Sequence, residues 1–153
     1  MILQKLDSQF NLPIIFSLHP RTKKKLDNKF ILEKIKNLKL IKPVSFSDYI
    51  QLQKKSLCVM SDSGTLTEEA SLLGLNAINL RDIHERPEGD ETAATILCGL
   101  DYEKVLLAID IFLNNKAHNS KLISNYDVND FSDKILKLVI SYTSYVNKYV
   151  WQK

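Results

Sequence analysis

Cysteine is scarce in this chain, and long apolar runs, repeats and low-complexity tracts are missing. Only Cys58 and Cys98 occur among the 153 residues. Both sit in apolar runs without the spacing of metal ligands, so a zinc motif is excluded and buried free thiols in a reducing cytoplasm are expected. No apolar stretch approaches the roughly 18 residues that span a bilayer, so no membrane partner is expected. The opening MILQKLDSQFNLPIIFSLHP lacks a charged lead, a clean apolar core and small cleavage residues, and no secretory leader is expected. What is present is ordinary. A content of 44% hydrophobic and 25% charged residues suits a folded globular protein and argues against disorder. The length fits one domain with a sizeable core.

The net charge of +3 is mild, and no nucleic-acid partner is expected. Its distribution is uneven. Residues 1–60 carry 12 basic and 4 acidic side chains, residues 61–103 carry 2 and 10, and the remainder carries 7 and 4. Such blocks can steer a ligand, or simply form a segregated, solvated surface.

Apolar runs alternate with helical patterns. LPIIFSL (Leu12–Leu18), stopped by His19 and Pro20, predicts a strand, and Thr22–Ile35 a polar helix or loose helical turns. NLKLIKPV predicts a second strand ended by Pro43. Ser45–Ser56 opens with capping residues and carries Phe46, Tyr49, Ile50 and Leu52 at helical spacing. LCVMS predicts a third strand, TLTEEASLLG a helix closed by Gly74, NAINLRD a fourth strand and ATILCGL a fifth. DYEKVLLAIDIFLNN is an amphipathic helix capped by Asp101. After a polar link, residues 130–153 predict a long C-terminal helix, kinked near Ser141–Ser144.

Strands separated by single helices imply right-handed crossovers and a parallel sheet covered by helices on both faces. The first eleven residues read as the tail of a helix that should follow an earlier strand. The expected fold is therefore α/β, a Rossmann-like parallel sheet that is incomplete, its first strand missing. Such a sheet exposes an apolar edge, so self-association is expected.

In sheets of this kind ligands sit beyond the carboxyl ends of the strands. His19 lies there after the first strand, Ser61–Thr65 after the third and Arg81–Glu88 after the fourth. Thr65-Leu66-Thr67-Glu68 matches a capping box, with Gly64 allowing a sharp turn. The same geometry offers free amides and a positive dipole end to a phosphate, with Ser63, Gly64 and Thr65 small enough to let it approach. No Lys follows the glycine, so this is not the Walker pattern. Glu68 and Glu69 point about 100° apart on a helix, so one can cap while the other reaches ribose hydroxyls. In NLRDIHERPEGDET (Asn79–Thr92), Arg86 either pairs with Glu85 or Glu88 or neutralises a diphosphate. His84 reads as a surface histidine. Tyr49 serves either core packing or stacking on a base.

HPRT, SDSGTLTEEASLLG and LRDIHERPEG, in this order and spacing, resemble the C-terminal half of the UDP-N-acetylglucosamine 2-epimerases. The end, YDVNDFSDKILKLVISYTSYVNKYVWQK, is more similar to the capsule-polysaccharide branch, of the UDP-N-acetyl-L-fucosamine synthase type. The resemblance runs from about Leu12 onward. It implies that residues 1–153 form the C-terminal, UDP-sugar-binding domain of a GT-B-like two-domain fold, in the cytoplasm, without cofactor or metal. Carried over, Ser63, Gly64 and Thr65 hold the phosphates, Glu69 the ribose hydroxyls, Tyr49 lies against the uracil, Arg86 near the diphosphate and His19 near the nucleotide-sugar. Thr65 departs from the second glycine of many relatives and narrows the room for the phosphate.

The family eliminates UDP and adds it back, inverting the carbon that bears the acetamido group. That chemistry implies acid/base carboxylates of an N-terminal domain and a His-Arg-Glu motif on the first strand, which these 153 residues do not contain. Asp62, Glu68 and Glu85 are not substitutes for them on spacing. The expected activity is thus that of a UDP-binding half, inactive alone and completed by a separately encoded N-terminal half. The alternatives are a non-catalytic nucleotide-sugar-binding remnant and half of a GT-B glycosyltransferase.

Overall fold

The computed structural model describes residues 2–19, 22, 32, 34–89, 92–114, 122–124 and 126–153. Ile2, Leu6 and Phe10 fall on one face of helix α1 (Ile2–Phe10) and enter the core, with Leu6 buried. Asn11 ends the helix in the left-handed conformation that asparagine tolerates (φ 50°). The Asp7 carboxylate accepts from the backbone amides of Lys36 and Asn37 at 3.1 and 3.0 Å, which anchors the start of the second strand to α1.

Strand β1 (Ile14–Ser17) and strand β2 (Leu38–Ile41) pair in parallel, Ile14 opposite Leu38 and Ser17 opposite Ile41. The helix expected over Thr22–Ile35 falls largely outside the described residues. Helix α2 (Phe46–Lys55) starts as expected, the Ser45 hydroxyl accepting from the Asp48 amide at 3.2 Å. Strand β3 (Val59–Ser61), helix α3 (Leu66–Leu73) and strand β4 (Ala77–Asn79) follow. Gly74 closes α3 in the left-handed conformation, φ 63°. Strand β5 is shorter than the sequence suggests, only Ile96–Leu97. Helix α4 (Tyr102–Asn114) is capped by Asp101, whose Oδ1 accepts from the amides of Glu103 and Lys104.

The C-terminal segment is helix α5 (Phe131–Tyr145), continued by a π-helix over Val146–Val150. The departure from α geometry thus comes after Ser141–Ser144, where the sequence suggests a kink. Within that stretch the Thr143 hydroxyl donates to the Val139 carbonyl at 2.5 Å. No residue of α5 is buried. Among the described residues, no helix is long and apolar enough to cross a membrane.

The helices take opposite faces of the strands. On one face, Leu6 of α1 and Val105, Ala108 and Ile109 of α4 pack with Ile78. Tyr102 adds a hydrogen bond from its hydroxyl to Gln9 (2.6 Å) and sits beneath the Lys5 ammonium. On the other face, Leu66 and Ala70 of α3 pack with Leu75 and Ala77. Neighbouring residues Ala77 and Ile78 thus feed opposite cores, as the period of two requires. Burying a side chain such as Leu66, 1% exposed, contributes about 1.5–3 kcal/mol. The strands form two sheets, β1-β2 and β3-β4-β5, all pairs parallel.

Candidate functional site

The turn from β3 into α3 is shaped by its own hydroxyls. Ser61 Oγ accepts from the Ser63 amide at 3.0 Å, and Ser63 Oγ and Thr65 Oγ1 lie 3.0 Å apart. The expected capping box does not form. Thr65 has helical backbone angles and makes no side-chain cap bond. Its hydroxyl donates to Glu69 Oε1 at 2.9 Å, and Glu68 turns to Arg86, whose Nε donates to Glu68 Oε1 at 2.7 Å. Charged partners outcompete the amide that a capping box would supply.

The two carboxylates of the first turn of α3 therefore serve opposite sides. Glu69 is gripped from two directions, by Thr65 at one oxygen and by Gln53 Nε2, at 2.5 Å, at the other. Gln53 lies one turn after Tyr49 on α2 and is 4% exposed. Tyr49 stands close enough for the Glu69 charge to act on it. Burial, and then that charge, push its phenol up from the ordinary value, against a hydrogen bond from Gln53. Tyr49, Gln53, Ser63, Thr65 and Glu69 thus form one connected polar chain at the N-terminus of α3.

Arg86 forms the other side. Besides Glu68, its Nη1 donates to the Glu85 carbonyl at 3.3 Å. The Glu68 hydrogen bond and charge hold its guanidinium pKa above the ordinary value. Behind it, the Tyr126 hydroxyl donates to Glu88 at 2.8 Å. A backbone hydrogen bond, and after it this one, hold Glu88 below the usual carboxylate range. Burial and the same bond push the Tyr126 phenol up to about 12.

Glu85 occupies an informative position. A Cβ built on Gly64 would strike Glu85 Oε2. Glu85 also forms an ion pair with Arg81, and Arg81 Nε donates to the Asp62 carbonyl. A carboxylate is therefore already drawn to the face of the turn where the sequence suggests an anion. Its side chain is 52% exposed, so it can swing away at small cost.

Of the residues singled out from the sequence, Tyr49, Ser63, Thr65 and Glu69 are joined by contacts. Gly64 lies within their turn, and Arg86 is tied to the neighbouring Glu68. His19 stands exposed on the other sheet, two residues past β1. Sequence reasoning missed Gln53, whose position one helical turn after Tyr49 was the available signal. It also missed Tyr126, in the polar link before α5, for which the sequence gives no local signal.

These elements define an α/β domain of parallel strands with helices on both faces. The chain belongs to the UDP-N-acetylglucosamine 2-epimerase family, whose profile matches residues 1–140. A UDP-N-acetylglucosamine 2-epimerase of Methanocaldococcus jannaschii is 43% identical over 106 residues, which are 67% of this chain and 29% of that protein. The structure of the Rickettsia bellii UDP-N-acetylglucosamine 2-epimerase is similar with a TM-score of 0.85 and 42% identity, over 99% of this chain and 42% of that one. The Methanocaldococcus jannaschii enzyme solved with UDP-GlcNAc and UDP gives a TM-score of 0.81 at 36% identity, over 92% and 39%. The chain thus spans 29% to 42% of the length of these relatives.

Proposed function

We propose that this chain is the UDP-facing part of a UDP-N-acetylhexosamine 2-epimerase, of the branch that supplies capsular or surface polysaccharide in the cytoplasm. The observation that carries the reading is the doubly held Glu69 carboxylate, one turn above Ser63 and Gly64 and beside Tyr49. A carboxylate fixed by Gln53 and Thr65 presents its remaining lone pairs in a set direction, which suits a pair of ribose hydroxyls. The helix N-terminus below it suits the diphosphate, and Tyr49 the flat face of a uracil. A relative crystallised with UDP-GlcNAc and UDP supports the same ligand here. His19, after β1, faces the sugar end of the ligand in this reading. Arg86, steadied by Glu68, takes charge on the departing diphosphate. The capsular branch rests on the resemblance of the C-terminal segment.

The 153 residues by themselves bind UDP-sugars without turning them over, and residues of an N-terminal half complete the reaction. The apolar side chains that α5 exposes, among them Ile135, Leu138 and Tyr142, support a partner or a second copy on that face. Equilibrium dialysis with UDP and UMP tests the reading. UDP is expected to bind more tightly than UMP, and unchanged UDP binding by Tyr49→Ala would remove the role given to Tyr49. A turnover assay tests the second part: epimerisation or UDP release in proportion to the purified chain, and lost in Arg86→Ala, would contradict it.

A further inference from the structure

Arg86 stands among three carboxylates, Glu68, Glu85 and Glu88, whose charges all act on its guanidinium. Of the three, Glu68 alone holds it by a side-chain hydrogen bond, from Nε to Oε1 at 2.7 Å. Glu88 is placed to compete. The short 3-10 turn Pro87–Gly89 brings the Gly89 amide back to the Arg86 carbonyl at 2.9 Å, which folds Glu88 in beside Arg86. The Glu88 carboxylate nevertheless turns to Tyr126, whose hydroxyl donates to its Oε1 at 2.8 Å.

Tyr126 reaches Glu88 because the chain before it is pinned to α3. Ile123 is buried, and its amide donates to Ser71 Oγ at 2.9 Å. The Tyr126 amide then closes a turn onto the Ile123 carbonyl, also at 2.9 Å. Ser71 lies three positions after Glu68, so both fall on one face of α3. The 3-10 turn rests on the same helix, since Gly89 abuts the Thr67 side chain so closely that a Cβ there would strike it. α3 is thus the common base for Arg86's partner, for the turn that carries Glu88 and for the segment that carries Tyr126.

The competition matters for Glu68 as well. Its second oxygen, Oε2, is buried and has no hydrogen-bond partner among the described residues, so its charge depends on Arg86 for compensation. A guanidinium drawn over to Glu88 would leave that charge unpaired. The Tyr126 phenol is suited to prevent this. Burial and the bond to Glu88 push it up to about 12, which keeps it a neutral donor at physiological pH.

We infer that Tyr126 is a positioning residue: its hydroxyl holds the Glu88 carboxylate off Arg86 and leaves the guanidinium to Glu68 and to the diphosphate. The contact with a diphosphate rests on the function proposed above; the placement of Arg86 does not.

The placement is read without ligand, from the Arg86 Nε–H resonance in mildly acidic solution, assigned by its absence from Arg86→Lys. Tyr126→Phe should speed its hydrogen exchange about tenfold, because the freed Glu88 draws the guanidinium away from Glu68. Adding Glu88→Gln to Tyr126→Phe should restore the native rate, since the competing charge is then gone. Loss of ring packing alone would not be rescued in this way. Equilibrium dialysis, at a temperature where every variant is folded, reads the consequence. Tyr126→Phe should weaken UDP about threefold to fivefold, leave UMP unchanged, and recover with Glu88→Gln. Native exchange in Tyr126→Phe, or a double variant that exchanges as fast as the single one, would overturn the inference. Unchanged UDP affinity in Arg86→Ala would count against the diphosphate role of Arg86 instead, and the exchange rates would still decide the role of Tyr126.

Discussion

Replacing Glu85 by Gln should tighten UDP binding. The Glu85 carboxylate lies against Gly64, where the proposed function puts the diphosphate, and is held there by Arg81. A bound diphosphate brings negative charge to within roughly 5 Å of it. At an effective dielectric constant of about 60, each pair of unit charges at that distance repels by about 1 kcal/mol. The side chain is 52% exposed and can swing out, so solvent screening reduces the combined effect to about 1 kcal/mol. That is about a fivefold change in Kd. Glu85→Gln keeps the shape, removes the charge and frees Arg81 for the anion, so both effects have the same sign. Calorimetric titration with UDP in 50 mM salt should show the gain. In 500 mM salt, where the Debye length is about 4 Å, it should shrink to less than about twofold. Equal affinities at low salt, or weaker binding by the variant, would refute the placement of the phosphate against Gly64.

Three further outcomes follow from the structure. Burial pushes the Cys58 thiol up to about 11 and raises that of buried Cys98, so alkylation by iodoacetamide at pH 8 should be about 100-fold slower in the native chain than in urea; rapid labelling of either would contradict this. Gly89→Ala drives a Cβ into Thr67 Cγ2, and Thr67 is 1% exposed, so urea unfolding should show a loss of about 2 kcal/mol that Thr67→Ser largely restores; full additivity would show that the two do not meet. The folded Tyr126 value, about 12, lies above the unfolded value near 10. Its contribution is therefore complete below about pH 10 and lost as pH rises towards 12. Melting temperatures of the native chain and Tyr126→Phe should differ at pH 8 and converge near pH 12, and a constant gap would exclude the Glu88 hydrogen bond as its source.

What the sequence disclosed follows the range of the forces involved. Gly74 ends α3 and Ser45 and Asp101 cap α2 and α4 through contacts within a few residues, so local pattern sufficed. The buried run Ala77–Asn79 marked a covered parallel strand. The capping box failed because its two members found charged or hydroxyl partners elsewhere: Glu68 reaches Arg86, 18 positions away, and Thr65 turns to Glu69. The Glu88–Tyr126 bond spans 38 positions and the Gln53–Glu69 bond 16. Neither pairing has a local signature, because each depends on which faces the sheet presents to its helices. Within the α3 turn the sequence named the hydroxyls and Glu69, but not the side chains that aim them.

The central claim is that the turn between β3 and α3, with Glu69 above it, holds UDP. Calorimetric titration of the 153-residue chain with UDP, alongside Glu69→Ala, tests it most directly. Saturable binding at millimolar UDP or below, weakened about tenfold or more in a Glu69→Ala chain that remains folded at the assay temperature, is the predicted result. No binding at millimolar UDP by the folded native chain, or binding that Glu69→Ala leaves unchanged, would contradict it.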